Sequence, residues 1–256
     1  MLKLATWNVN SLKVRLTHVS DWCLEHQPDV VCLQETKTID ENFPQEALSE
    51  IGFTSCFSGQ KTYNGVATLV RGEVEDVVFG LPGYDDPQKR VVSVTANGVR
   101  VINVYVPNGK QVDDPKYFYK LEWFSHLAAF VEQELSRHDK LVVTGDFNIA
   151  PADEDVHDPQ LWKDKILCSK AERDCLRQLV DLGLTDAFRD FDQPAESYSW
   201  WDYRAAGFRR NLGLRIDLIM VSEALRKTCS SCTIDIEPRK LERPSDHTPV
   251  IAQFAL

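Results

Sequence analysis

Carboxylates, amides and one imidazole flank short apolar runs at six places along this 256-residue chain. LKLATW ends in Asn8, and VVCL ends in Gln34 and Glu35. VINVYVP carries Tyr105 and is followed by Asn108. LVVTG ends in Asp146, Phe147 and Asn148, and LGLRI leads into Asp217. Asp246 and His247 stand just before the last apolar run.

Asp146 and Asn148 are two residues apart, which puts both side chains on one face of an extended backbone. A carboxylate there can take a proton from water while the amide fixes the water's direction. A Gly-Asp turn, with Asn148 bonding its own backbone, accounts for the tetrapeptide equally well. Glu35 offers a hard oxygen ligand of the kind Mg²⁺ prefers. Taken singly, it reads better as an ordinary loop glutamate. Asp246-His247 resembles the acid–imidazole pairs that manage charge near a phosphate, although such pairs are common in loops. Tyr105 could donate to a phosphate oxygen or simply fill the core. No one of these is specific, but the ordered set is.

The apolar runs must position these groups. Leu2–Trp7, Val30–Leu33, Val66–Val70, Val91–Val94, Val99–Val106, Leu141–Val143, Leu214–Val221 and Val250–Phe254 are short and rich in Val and Ile, as buried strands are. Between them, Leu12, Leu16, Val19, Trp22 and Cys23 share a helical face. So do Leu121, Phe124, Leu127, Ala128, Val131 and Leu135, closing on Ser136. Ala171, Cys175, Leu176, Leu179 and Val180 form a third such face. Gly59–Asn64 and Ala96–Gly98 read as hairpin turns. Imperfect alternation joined by hairpins predicts an α/β fold of two packed mixed β-sheets with helices outside. Strand ends in layered α/β folds line a common cleft, and charges buried there must be paired or hold a metal.

Composition sets the bounds. The chain is 43% hydrophobic and has no linker-like stretch, so one domain over residues 1–256 is expected. MLKLATWNVN does not read as a secretory signal, and no run approaches the ~20 apolar residues of a membrane span. Seven scattered cysteines fit reduced thiols and a cytoplasmic location; Cys229 and Cys232 form an isolated CxxC, weak evidence for zinc. A net charge of −10 argues mildly against nucleic acid, but local clusters count for more. Lys163, Lys165 and Lys170 form one basic stretch, and Arg204, Arg209, Arg210 and Arg215 another.

Seven segments carry a resemblance. TWNVNSLKVR, DVVCLQETK, NVYVPNG, VVTGDFNIAP, SYSWWDYR, NLGLRIDLIMVS and RPSDHTPV run in order from Thr6 to Val250. Together they resemble the exonuclease III / apurinic-apyrimidinic endonuclease family, within the wider endonuclease-exonuclease-phosphatase fold. GDFN and SDH are shared widely among such phosphoesterases, whereas WWDYR and GLRID favour the DNA repair branch. The resemblance implies a DNase I-like four-layer α/β sandwich and a Mg²⁺-dependent nuclease (Mn²⁺ substituting). The implied partner is double-stranded DNA with abasic sites or blocked or recessed 3′ ends. A monomer is expected.

By the same resemblance, Asn8 and Glu35 hold the metal, with Asp246 close by and Asp146, Asn148 and His247 completing the metal-site set. Asp146 positions or deprotonates the attacking water, and Asn148 orients it and contacts the phosphate. His247 contacts the phosphate and Asp217 holds its imidazole. Tyr105 completes the phosphate contacts, and Asn108 belongs to the substrate-binding set. Trp200, Leu214 and Ile216 would line a pocket for a flipped-out baseless sugar, where extrusion is cheap because no base pair is broken. Leu214 stands where some relatives carry tryptophan. The KDKILCSKAER segment is shorter than in many relatives and places bulky Leu167 where a small residue is usual. This predicts crowding of an internal site and a bias to 3′-end trimming. Two other readings are weaker: a phosphoesterase for a non-DNA substrate, and a non-catalytic nucleic-acid-binding regulator, which should have lost some of these polar residues.

Overall fold

The computed structural model describes residues 1–256. Two six-stranded mixed sheets face each other. The first contains β1 (Leu2–Asn8), β2 (Val30–Gln34), β3 (Thr54–Ser58), β4 (Val66–Val70), β13 (Cys229–Ile234) and β14 (Val250–Phe254), in the order β13-β14-β1-β2-β4-β3. The second contains β5 (Val74–Phe79), β6 (Val91–Ala96), β7 (Val99–Tyr105), β8 (Leu141–Asp146), β9 (Thr185–Asp186) and β12 (Asp217–Val221), in the order β5-β6-β7-β8-β12-β9. A small ribbon pairs β10 (Trp200–Trp201) with β11 (Gly213–Leu214).

Strand periodicity decides which side chains enter which layer. On β1, Leu2 and Leu4 join the core between the sheets, while Ala5 and Trp7 face outward. On β12, Ile219 and Val221 point between the sheets, and Leu218 and Met220 point outward. Outside the first sheet pack α1 (Leu12–His26) and α2 (Gln45–Glu50), through Leu12, Val19, Trp22 and Leu48. Outside the second pack α3 (Pro115–Leu135) and α5 (Lys170–Asp181), through Trp123, Phe124, Leu127, Leu176 and Leu179. The result is the expected four layers. Short α4 (Pro159–Trp162) and α6 (Glu223–Arg226) are peripheral.

Local chemistry sets the boundaries. Asp114 caps α3 by accepting from the Lys116 N–H, with Pro115 opening the helix. Ser169 and Glu172 form a reciprocal capping box on α5. Asn97 and Gly98, both at positive φ, make the two-residue β6–β7 hairpin, and residues 59–65 join antiparallel β3 and β4, so both expected turns are present.

Several expectations need correction. The apolar run Leu214–Val221 is not one strand. Leu214 pairs with Trp200 in the ribbon, Arg215 and Ile216 belong to no strand, and β12 starts at Asp217. The helix read from Leu121 begins at Pro115, and Leu121 and Leu135 are only half-buried. Val180 is 50% exposed and does not share the buried face of α5. The edge strands β3, β5 and β13 were not anticipated.

Candidate active site

The topology brings the chemistry-bearing strand ends to one place. β1 runs parallel to β2, and β7 parallel to β8, while β14 is antiparallel to β1 and β12 antiparallel to β8. The C-terminal ends of β1, β2, β7 and β8 therefore meet the N-terminal ends of β12 and β14. Asn8, Tyr105 and Asp146 are last residues of their strands, Glu35 follows β2, and Asp217 opens β12. The backbone there is unusual: Asn10, Ser11, Glu35, Lys37 and Asn148 all have positive φ. Such positions persist only where surroundings over-determine them, and they cluster at functional sites.

Glu35, Asp146 and His247 form the centre, with ligand-capable atoms within 4.8 Å of one another. The Asn8 amide bridges the carboxylates, donating to Glu35 Oε1 at 2.9 Å and to Asp146 Oδ2 at 2.8 Å. Tyr105 donates its hydroxyl to Glu35 Oε1 at 2.9 Å. His247 Nδ1 lies 2.9 Å from Asp217 Oδ2, leaving Nε2 directed at the centre, 3.7 Å from Asp146 Oδ2. The backbone N–H of Asn148 donates to Asp146 Oδ1, and Asn108 Nδ2 donates to Asn148 Oδ1, each at 2.9 Å.

Electrostatics follow from burial and crowding. Burial, helped by Asp217 and Glu35, pushes the Asp146 carboxyl up to about 7 despite the opposing His247 charge. Burial works against a charged His247, but Asp217 and Asp146 outweigh it and raise the imidazole to about 10. At neutral pH the site therefore combines a base close to its titration range with an imidazolium donor. Burial, reinforced by Glu35, keeps Tyr105 protonated, raising its phenol well above the ordinary value.

The donor set fits a divalent cation. Two close carboxylates sharing one amide offer hard oxygen donors, and oxygen-rich sites of this kind suit hard cations. Glu35 and Asp146 would hold it. Three residues of the expected metal set sit differently. Asn8 presents its NH₂ to the carboxylates, because its Oδ1 accepts from the Asn10 N–H at 3.0 Å. The Asn148 side chain is engaged with Asn108 and the Val106 carbonyl. Asp246 stands outside the central cluster, accepting from Trp200 Nε1 at 3.0 Å and Asn10 Nδ2 at 2.9 Å. Burial would raise Asp246, but His247 and these two donors hold it below the usual carboxylate range.

The substrate-binding set is also corrected. Leu214 and Ile216 do not line an open pocket, and bulky Leu167 packs beside them. They are 0%, 1% and 4% exposed and pack together with Ala150, Val156 and Cys168. Trp200 packs against this cluster, remains partly open, and tilts toward His247 at 6.5 Å between ring centroids. Leu167 adopts φ +72°, where a bulky side chain is strained. Arg215, read as part of a basic surface, is fully buried between Asp155 and Asp186. Cys232 lies in the core between the sheets, with Cys229 packed against it.

Four contributors escaped sequence reasoning. Lys37 pairs with Glu35 Oε2 at 2.7 Å, and Asn10 links Asp246 to Lys37. Both lie within two residues of Asn8 or Glu35, which was a usable signal. Ser245 joins the Asn8 carbonyl to the His247 N–H, and Ser199 accepts from the Ile216 and Asp217 N–H groups. Both serines lie in the SYSWWDYR and RPSDHTPV segments, but neither residue type nor spacing gave them a role.

A layered α/β sandwich with an acid–amide–imidazole cluster at its strand ends defines a phosphoester-cleaving class of protein. Residues 5–247 match the endonuclease/exonuclease/phosphatase family, and the chain belongs to that family. It is 35% identical to the exodeoxyribonuclease III of Haemophilus influenzae, over 99% of this chain and 100% of that one. It is similar to the 3′ phosphatase NExo from Neisseria, solved with a product DNA hairpin, at 51% identity and TM-score 0.98, covering both chains fully. An AP endonuclease from Archaeoglobus fulgidus is 38% identical with TM-score 0.96, again over both full chains. No helix is long and apolar enough to cross a membrane.

Proposed function

We propose that this chain is a DNA repair nuclease that hydrolyses phosphoester bonds at damaged or blocked 3′ ends by activating water, and that residues 1–256 act as one domain. The observation that carries the reading is the convergence of Glu35, Asp146 and His247, from widely separated parts of the sequence, with ligand-capable atoms within 4.8 Å of one another. Family membership and the relatives' activities support it.

In this reading Asp146 takes the proton of the attacking water, its raised pKa matching the task at neutral pH. Its orientation is fixed by the Asn148 N–H and the Asn8 amide. The protonated His247 Nε2 donates to a phosphoryl oxygen, and Asp217 holds the ring and keeps it charged. The remaining N–H of the Asn108 and Asn148 amides supplies further donors to the phosphate, and Tyr105, whose hydroxyl donates to Glu35, completes the phosphate contacts if that bond is exchanged on binding. A divalent cation, Mg²⁺ with Mn²⁺ as substitute, held by Glu35 and Asp146, would neutralise charge developing on the phosphoryl and leaving oxygens. The products are a 3′-hydroxyl and either a 5′-phosphate or free phosphate.

The closed Leu167–Leu214–Ile216 cluster favours 3′-terminal substrates over internal abasic sites, because a flipped sugar has no preformed apolar slot there. The deciding experiment is a matched panel of internal abasic duplex, recessed 3′ end and 3′-phosphate end, each in Mg²⁺ and in EDTA. Turnover is expected on the 3′-ended substrates in Mg²⁺ only. Activity that persists in chelator would exclude the cation, and inactivity on all three would exclude the reading.

A further inference from the structure

Lys120 lies within α3 and Glu172 in the first turn of α5, and both side chains are buried, at 1% and 0% exposure. Lys120 Nζ donates to Glu172 Oε1 at 2.5 Å, to the Asn148 carbonyl at 2.6 Å and to the Asn108 carbonyl at 3.3 Å. All three ammonium protons are thereby used. Glu172 is equally engaged: Oε1 accepts from the Leu167 N–H at 3.0 Å, and Oε2 accepts from Ser169 N and Oγ at 3.1 and 2.7 Å. One ion pair thus fastens three loops, those carrying Asn108, Asn148 and Leu167. The packing has no slack, since a Cβ on Gly109 would lie 2.8 Å from Ile166 Cδ1 and 3.3 Å from Lys120 Cδ.

Stability alone does not explain this pair. Apolar side chains of similar volume usually serve a buried site as well or better. Tyr117, Trp123, Phe124 and Leu127 already give α3 an apolar buried face. What charged groups add is direction. Asn148 sits at φ +49° and Leu167 at φ +72°. Lys120 holds the carbonyl of the first and Glu172 the N–H of the second. Burial draws the Lys120 ammonium below its ordinary value, with Glu172 opposing, so the pair is maintained against a desolvation cost.

We propose that Lys120 and Glu172 are a positioning pair that aims the Asn108 and Asn148 side chains at the substrate phosphate and locks the Leu167 turn to the same anchor. The proposal rests on the phosphoester-cleaving reading of the site. Neither residue touches reacting atoms, so the loss should fall on kcat and spare binding.

The test uses the full chain on a duplex with a 3′-phosphate end. Lys120→Met combined with Glu172→Leu removes both charges and conserves volume; because Glu172 also caps α5 and pairs the Leu167 N–H, the variant's thermal midpoint should fall by several degrees, and kcat is read well below that midpoint. The duplex dissociation constant in EDTA should stay within ~3-fold, while kcat falls at least ~30-fold, as misaimed groups lose near-attack geometry. Lys120→Gln, which keeps a donor of shorter reach, should lose about 10-fold in kcat. It also decides the matter if the double variant does not fold. A folded variant of either kind with wild-type kcat overturns the positioning role. So does a kcat loss matched by an equal loss of binding. Wild-type inactivity on this duplex would instead overturn the reading of the site, and the proposal with it.

Discussion

The strand-end centre and the neighbouring Leu167 cluster are built on opposite principles. In the first, polar side chains from six strand ends meet with crowded carboxylates and a hydrogen-bond plan that leaves His247 Nε2 directed at the centre. In the second, Leu167, Leu214 and Ile216 interdigitate with almost no exposed surface, and the positive-φ strain falls on an apolar residue, Leu167, rather than on polar ones. The centre is assembled for bond cleavage wherever a phosphate can enter. In the proposed reading the cluster would restrict which phosphates can, by filling space that a displaced sugar would need.

The sharpest way to break this contrast is to remove the base. Asp146→Asn keeps the shape but cannot take a proton, so turnover on a 3′-ended duplex should fall by about 10²–10⁴-fold. The same variant should be more stable in chelator at pH 8. A buried carboxyl raised from its ordinary range to about 7 binds more protons folded than unfolded, so stability falls as pH rises from ~4 to about 7 and that loss persists above it. A melting midpoint for Asp146→Asn below that of wild type at pH 8 would contradict the crowding account.

Next in size is Asp217→Asn, expected to cost about 10²-fold in kcat. His247 is raised from 6.5 to about 10 largely by Asp217 and Asp146 opposing burial, so this protonation stabilises the fold below pH 6.5 and is lost as pH rises through about 10. Without Asp217 the imidazolium should deprotonate earlier. The alkaline limb of the rate profile should shift to lower pH, and an unchanged limb would exclude the imidazolium role.

Leu167→Gly probes the other side of the comparison. Glycine relieves the φ +72° backbone and opens space beside Leu214 and Ile216, so internal abasic cleavage should rise on the order of 10-fold, with 3′-phosphate removal little changed. No gain would show that the cluster does not govern substrate choice. The smallest expected effect is thermal. Saturating Mn²⁺ should stabilise the wild type by about 2–3 kcal/mol at ~100-fold over its dissociation constant, and Glu35→Gln should lose most of that increment.

Sequence alone made the centre's membership visible and left its surroundings obscure, for a physical reason. Buried central strands such as β1, β2, β8 and β12 are continuous apolar runs, and the polar residue that ends each run stands out. Edge strands did not stand out: β5 is exposed except at half-buried Val74 and Val78, and β3 is only partly covered. Lys120 and Arg215 look like surface cations in one dimension. Each is buried by an acid distant in sequence, Glu172 for the first and Asp155 for the second. Leu214 and Ile216 were read as pocket walls because their position was inferred without the side chains that cover them.

The account's central claim is that Glu35 and Asp146 hold one cation beside His247, where a phosphate is cut. Crystals of the protein soaked with Mn²⁺ test this through the anomalous signal of the metal. A single strong peak bonded to Glu35 and Asp146, on the side of Asp146 that faces His247 Nε2, is the expected result. A peak only elsewhere, or none at a concentration that supports turnover, would contradict it.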